Sequence, residues 1–157
     1  MAHYARLFGE DEETWRITGL LHDMDYEKHP SIEEHPFVGV NVLKAKGYGD
    51  DVTTAILGHA TYSGVPRETL MAKTLFAVDE LSGFITAVAF VRPTKLEGMK
   101  AKSVQKKLKD KAFAAAVSRD DIRMGADELG IELREHITNV ITALQAEASR
   151  LGFGTTD

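Results

Sequence analysis

His22 and Asp23 are neighbours in the string "TGLLHDMDYEKH", directly after an apolar run that ends at Leu21. An imidazole and a carboxylate at the inner end of a greasy segment cost free energy unless something compensates them. Three more ionisable residues stand where a hydrophobic one would be the easier choice: His35 before Pro36, His59 near the end of "AILGHA", and Asp79 inside "FAVDE". Taken singly, each reads as a hydrogen-bonded core or capping group. Taken together, they fall on four segments that must pack in a small bundle, where side chains from facing helices can converge on one point. A divalent cation at that point would keep the carboxylates ionised and the imidazoles neutral, the state that ligation needs. The mixture of nitrogen and oxygen donors suits Mn, Fe, Co, Ni or Zn better than Ca or Mg alone.

The elements that must position these groups are helical. Apolar residues recur with a helical period almost throughout, and no alternating stretch is long enough to insist on a strand, so the expected fold is all-α. The spacing predicts a helix from Asp11 to Leu21, a second opened by His35-Pro36 with proline at the first helical position, and a third capped by Asp50 or Asp51. "YSGVP" reads as a turn, and a long apolar helix, a central core element, follows from Arg67 to Val91. Beyond Pro93 come a Lys-rich helix over "KSVQKKLKDKAFAAAV", a helix capped by Ser118, and a last helix from Glu132 to Arg150, with residues 151–157 as a frayed tail. His3, His29 and His136 lack a partner at a telling spacing and read as surface residues, with His29 near enough to the "HD" pair to line a pocket.

The bulk numbers narrow the classes. A chain of 157 residues with 43% hydrophobic and 27% charged residues is expected to be one soluble domain. It has no cysteine, so disulfides and thiolate ligands are excluded. No run of apolar residues is long enough for a membrane span, no secretory signal is evident, and a cytoplasmic location is the expectation. A net charge of −5 argues against wholesale nucleic-acid binding. The charge is uneven, however: between Lys95 and Lys111 seven lysines face two acids, Glu97 and Asp110. A solvated helix face is the ordinary reading of such a strip.

The order His22-Asp23, His35, His59, Asp79, carried by "LLHD", "EHPFVGV", "AILGHA" and "FAVDE", resembles the HD-domain superfamily of metal-dependent phosphohydrolases over residues 15–91. The C-terminal helices are expected over residues 92–150, and within them "VRP…KSVQKKLKDKAFAAAVSRDDIRMGADELGI" is similar to a group of small bacterial HD hydrolases. The resemblance implies a single HD-type helical bundle over 1–157. It implies that His22, Asp23 and Asp79 bind one metal and that Asp23 bridges to a second held by His35 and His59, with His22 and Asp23 also in catalytic roles. The implied reaction is hydrolysis of a phosphomonoester or phosphodiester, nucleotide-like, by metal-activated water, with Mn, Fe, Co, Ni, Zn or Mg as the cofactor. Arg67, Lys73 and Arg92 are the expected contacts for a small phosphorylated substrate, with Arg67 favoured for its closeness to His59.

One departure accompanies the resemblance. The family pattern begins with another His on a helix further upstream, yet only 21 residues precede His22. "MAHYARLFGEDEE" reads as the latter half of that helix, and His3 stands too close to His22 to fill the position. A truncated or mis-assigned start is the expectation, ahead of a site completed by a neighbouring subunit or a metal held by fewer ligands. Apolar surface uncovered by the missing helix would favour a homo-oligomer. Two other readings compete: a di-iron oxygenase built from the same ligands, and a non-catalytic helical module whose Lys strip binds an anionic partner.

Overall fold

The computed structural model describes residues 1–153 and contains, among them, only helices and turns. In chain order the helices are α1 (Ala2–Phe8), α2 (Glu12–Leu21), α3 (Phe37–Ala45), α4 (Asp50–His59), α5 (Leu70–Phe90), α6 (Ala101–Leu108), α7 (Arg119–Leu129) and α8 (Leu133–Ala146), with a short 3-10 turn at Thr61–Ser63 after α4. The all-α expectation holds. The chain forms two compact units, Met1–Phe76 and Ala77–Asp157, and α5 begins in the first and ends in the second.

In the first unit α2 packs on α1 and α4, and α3 packs on α4. Asp11 starts α2 because its carboxylate accepts the Thr14 N–H at 2.8 Å, satisfying one of the donors that a helix N-terminus leaves free. The core here is Tyr4, Trp15, Val40, Leu43, Ile56, Leu75 and Phe76, and the fully buried Thr18 hydroxyl reaches Met71 Sδ at 3.5 Å. Each fully buried aliphatic or aromatic side chain contributes about 1.5–3 kcal/mol relative to exposure.

The second unit packs α8 against α6 and α7 around Leu81, Phe84, Ile85, Val104, Ile122 and Ile137. Ser118 caps α7 by accepting the Asp121 N–H at 3.1 Å, as the capping pattern predicts. Of the expected tail, 154–157 lie outside the described residues, whereas the Phe153 N–H donates to Ala148 O at 2.8 Å and its ring meets Phe90.

Several local expectations are corrected. Pro36 precedes α3 rather than opening it, and the His35–Pro36 bond is cis. Gly49 occupies the N-cap of α4, with Asp50 and Asp51 in the first turn, where carboxylates favour the positive end of the helix dipole. α5 starts at Leu70 because Thr69 Oγ1 accepts the Ala72 N–H. The Lys-rich helix stops at Leu108, since the carbonyls of residues 110–117 turn toward the Arg119 guanidinium instead of continuing a helical ladder. His136 is fully buried rather than a surface residue, its Nε2–H donating to Ala77 O at 2.9 Å. His3 is half-buried, with Nε2 sealed from solvent.

Candidate metal centre

Two of the histidines are set by the same local device. His22 follows the last residue of α2 and His59 is the last residue of α4, where the final turn leaves carbonyls without helical partners. The Nδ1 of His22 lies 2.8 Å from Gly19 O, and the Nδ1 of His59 meets Ile56 O, each a carbonyl three residues back. A carbonyl can only accept, so both Nδ1 atoms carry the proton and both Nε2 atoms present a lone pair in the neutral ring.

His35 is set differently. Its Nδ1 lies 2.7 Å from Oδ1 of Asp25, and the other oxygen of Asp25 accepts the Gly39 N–H at 2.6 Å in the first turn of α3. Asp25 is 6% exposed and His35 3%. A carboxylate accepting from an imidazole whose other nitrogen faces a site is the arrangement that orients metal-ligating histidines and raises their basicity. Gly39 is required there, because a Cβ would come within 3.0 Å of the Asp25 carboxylate.

The three Nε2 atoms converge on Asp23. His22 Nε2 lies 3.4 Å from one carboxylate oxygen, and His35 Nε2 and His59 Nε2 lie 3.4 and 3.5 Å from the other. His35 Nε2 and His59 Nε2 are 3.3 Å apart. Two bare imidazole lone pairs at that separation repel unless a proton or a cation lies between them. Asp23, His35 and His59 each offer one ligand atom within 4.8 Å of the others. The donor set, imidazole nitrogen with carboxylate oxygen and Nδ1 anchored on each ring, fits a borderline divalent cation.

Charge and exposure divide the group. The Asp23 side chain is 50% exposed, while those of His35 and His59 are 4% and 6%. The His59 hydrogen bond first, then the charges of His22, His59 and His35, hold the Asp23 carboxyl below its usual range against the opposing pull of burial. The exposed Tyr62 phenol is pushed up by burial and by Asp23, Tyr26 and Asp25. The Tyr26 ring stands edge-on to His35 at 5.1 Å.

The structure thus brings together His22, Asp23, His35 and His59. Asp79 lies half-buried on α5, in the second unit. Arg67 donates to Gly58 O at 2.9 Å and stacks over Phe76. Lys73 is half-buried on α5, and Arg92 braces its own loop through Lys95 O, Thr94 Oγ1 and Glu97 O. Asp25 is the functional group that sequence reasoning missed. Its only signal is a second carboxylate two residues after the "HD" pair. His29 pairs with Glu34 at 2.8 Å.

A helical bundle that aims three imidazoles at one carboxylate offers groups that could hold a metal ion. The family model for the HD domain matches residues 1–83, and the chain belongs to the HD-domain family, whose members are generally metal-dependent phosphohydrolases that bind divalent metals. No curated protein and no solved structure matches it. Among the described residues, no helix is long and apolar enough to cross a membrane.

Proposed function

We propose that this chain hydrolyses a small phosphomonoester or phosphodiester, nucleotide-like, at a centre held by His22, Asp23, His35 and His59, with Asp79 as a further ligand. The observation that supports this reading is the anchoring of all three Nδ1 atoms, which leaves three Nε2 lone pairs aimed at one half-exposed carboxylate. One or two divalent cations, when bound, would supply a water activated near neutral pH and positive charge for the phosphoryl oxygens.

The chain's own residues do the rest. His22 and His59 are fixed by their helix ends, so little ordering remains when a ligand arrives. Asp25 keeps His35 in the tautomer that presents Nε2. Asp23, the exposed member, faces solvent where an anion would approach. Arg67 and Lys73 would favour a phosphate there, whereas Arg92 would add only long-range charge, its guanidinium being bonded to its own loop.

The test is hydrolysis of bis-p-nitrophenyl phosphate and a nucleotide panel by purified protein with Mn, Co, Ni, Zn or Mg added. Metal-dependent turnover that disappears in His22→Ala and Asp23→Ala is expected. A folded, metal-loaded protein inactive on every substrate, or variants as active as the parent, would overturn the reading.

A further inference from the structure

The Lys-rich strip has no part in the metal centre, yet the second unit builds something around it. A cavity of about 270 Å³ is floored by Leu108, Ile122 and Leu133 and flanked by Lys109, Arg119 and Arg123. A wider cleft shares Leu108, Lys109, Arg119 and Arg123 with it and adds Lys111 and Asp120, so the two form one groove. Four cations therefore border it against one carboxylate, and Asp120 is already paired to Arg123 at 2.9 Å.

The groove is organised rather than a bare solvated face. Arg119 Nη1 donates to Ala114 O and Val117 O at 2.6 and 2.7 Å, and Nη2 donates to Phe113 O and Asp110 O. One guanidinium thus gathers four carbonyls of the 110–117 loop, and every bond goes to a neutral acceptor. Its Nε is buried with no hydrogen-bond partner among the described residues. Glu80 accepts the Ser118 N–H at 3.2 Å; burial holds its carboxyl above the usual range, against the opposing pull of that bond and of the Arg119 charge. The loop also holds Ala114 at φ 45°, a left-handed conformation that costs a non-glycine residue free energy and persists only where surrounding bonds impose it. A pre-ordered loop, exposed cations at Lys109, Lys111 and Arg123 and an apolar floor are the ingredients of a site that recognises an anion with an apolar body.

We infer that the second unit carries a binding site for a small phosphomonoester, its phosphate between Lys109 and Arg123 and its body on Leu108, Ile122 and Leu133. A free metabolite is favoured over RNA, because the Lys95–Lys111 strip lacks the interleaved aromatics on which successive bases stack. The site is independent of the hydrolytic reading, since none of its residues is among the proposed ligands.

The test is titration of the whole chain, in chelator, with adenosine monophosphate and with inorganic phosphate, followed by calorimetry. Saturable one-to-one binding of the nucleotide, with phosphate competing, is expected. Lys109→Gln with Arg123→Gln, two exposed positions whose change is checked by an unaltered melting curve, should weaken both ligands by about tenfold or more. Leu133→Trp, which fills the apolar part, should weaken the nucleotide and spare phosphate, and Asp23→Ala should change neither. No saturation, full affinity in the double variant, loss confined to Asp23→Ala, or tighter salt-sensitive binding of single-stranded RNA would each overturn the inference.

Discussion

Two places in the molecule bury histidine, and they treat it in opposite ways. In the second unit His136 is fully buried and its Nε2–H is given to Ala77 O, so the ring acts as one more hydrogen-bonded core group. In the first unit it is the Nδ1 protons of His22, His35 and His59 that are given away, and the Nε2 atoms are turned to a shared carboxylate. Burial of an imidazole therefore says little about chemistry. Which ring nitrogen meets a fixed acceptor, and what the other one faces, separates a structural histidine from a candidate ligand.

Removing Asp23 should give the largest effect and would break the comparison outright if it did not. Asp23→Ala leaves three imidazoles without their common anion, and its metal affinity by calorimetry is expected to fall by more than about 100-fold, beyond what loss of an outer partner causes. Asp25→Asn comes next. An amide cannot accept from both His35 and Gly39, so metal affinity should drop by about 10–100-fold while far-ultraviolet circular dichroism stays unchanged.

A pair of glycines sharpens the contrast. A Cβ on Gly39 would press on Asp25 at 3.0 Å, and one on Gly125 would come 2.5 Å from Ala77 Cα. Both alanine variants should lose about 1–3 kcal/mol of stability by denaturant unfolding. Only Gly39→Ala should also weaken metal binding; equal losses of affinity in both would erase the distinction.

The smallest effect concerns pH. Burial first, against the Ala77 hydrogen bond, holds His136 below the ordinary imidazole value. The unfolded chain therefore takes up that proton first as pH falls, so this contribution to stability is complete above about pH 6.5 and is lost as the pH drops beneath it. His136→Gln, still able to donate to Ala77 O, should flatten the dependence of Tm on pH between about 7 and 5 in chelator, leaving metal affinity at pH 7.5 untouched.

Much of this was legible from sequence, for reasons that can be named. The all-helical fold and the family followed from the helical period and the ordered His and Asp strings, which are local signals. His22, Asp23 and His59 stood out because each lies at the end of an apolar segment, and His35 because it stands with Pro36 at the opening of one. Asp25 did not, because an acid in a polar turn looks ordinary until the fold carries His35 and Gly39 to it. His136 sat among polar neighbours on α8, and only its contact with α5 reveals it as core. "KDKAFAAAV" has the composition of a helix, but Arg119, beyond its end, draws the carbonyls away. In each miss a partner outside the local pattern outweighed local preference.

The half-exposed carboxylate of Asp23 has a kinetic consequence. The carboxylate of the cluster is its most exposed member, while the rings of His35 and His59 are nearly sealed. Solvent meets this cluster first at a negative charge. Cations arrive there by attraction and anions by escort, which makes the rate of loading sensitive to ionic strength even where the final affinity is not.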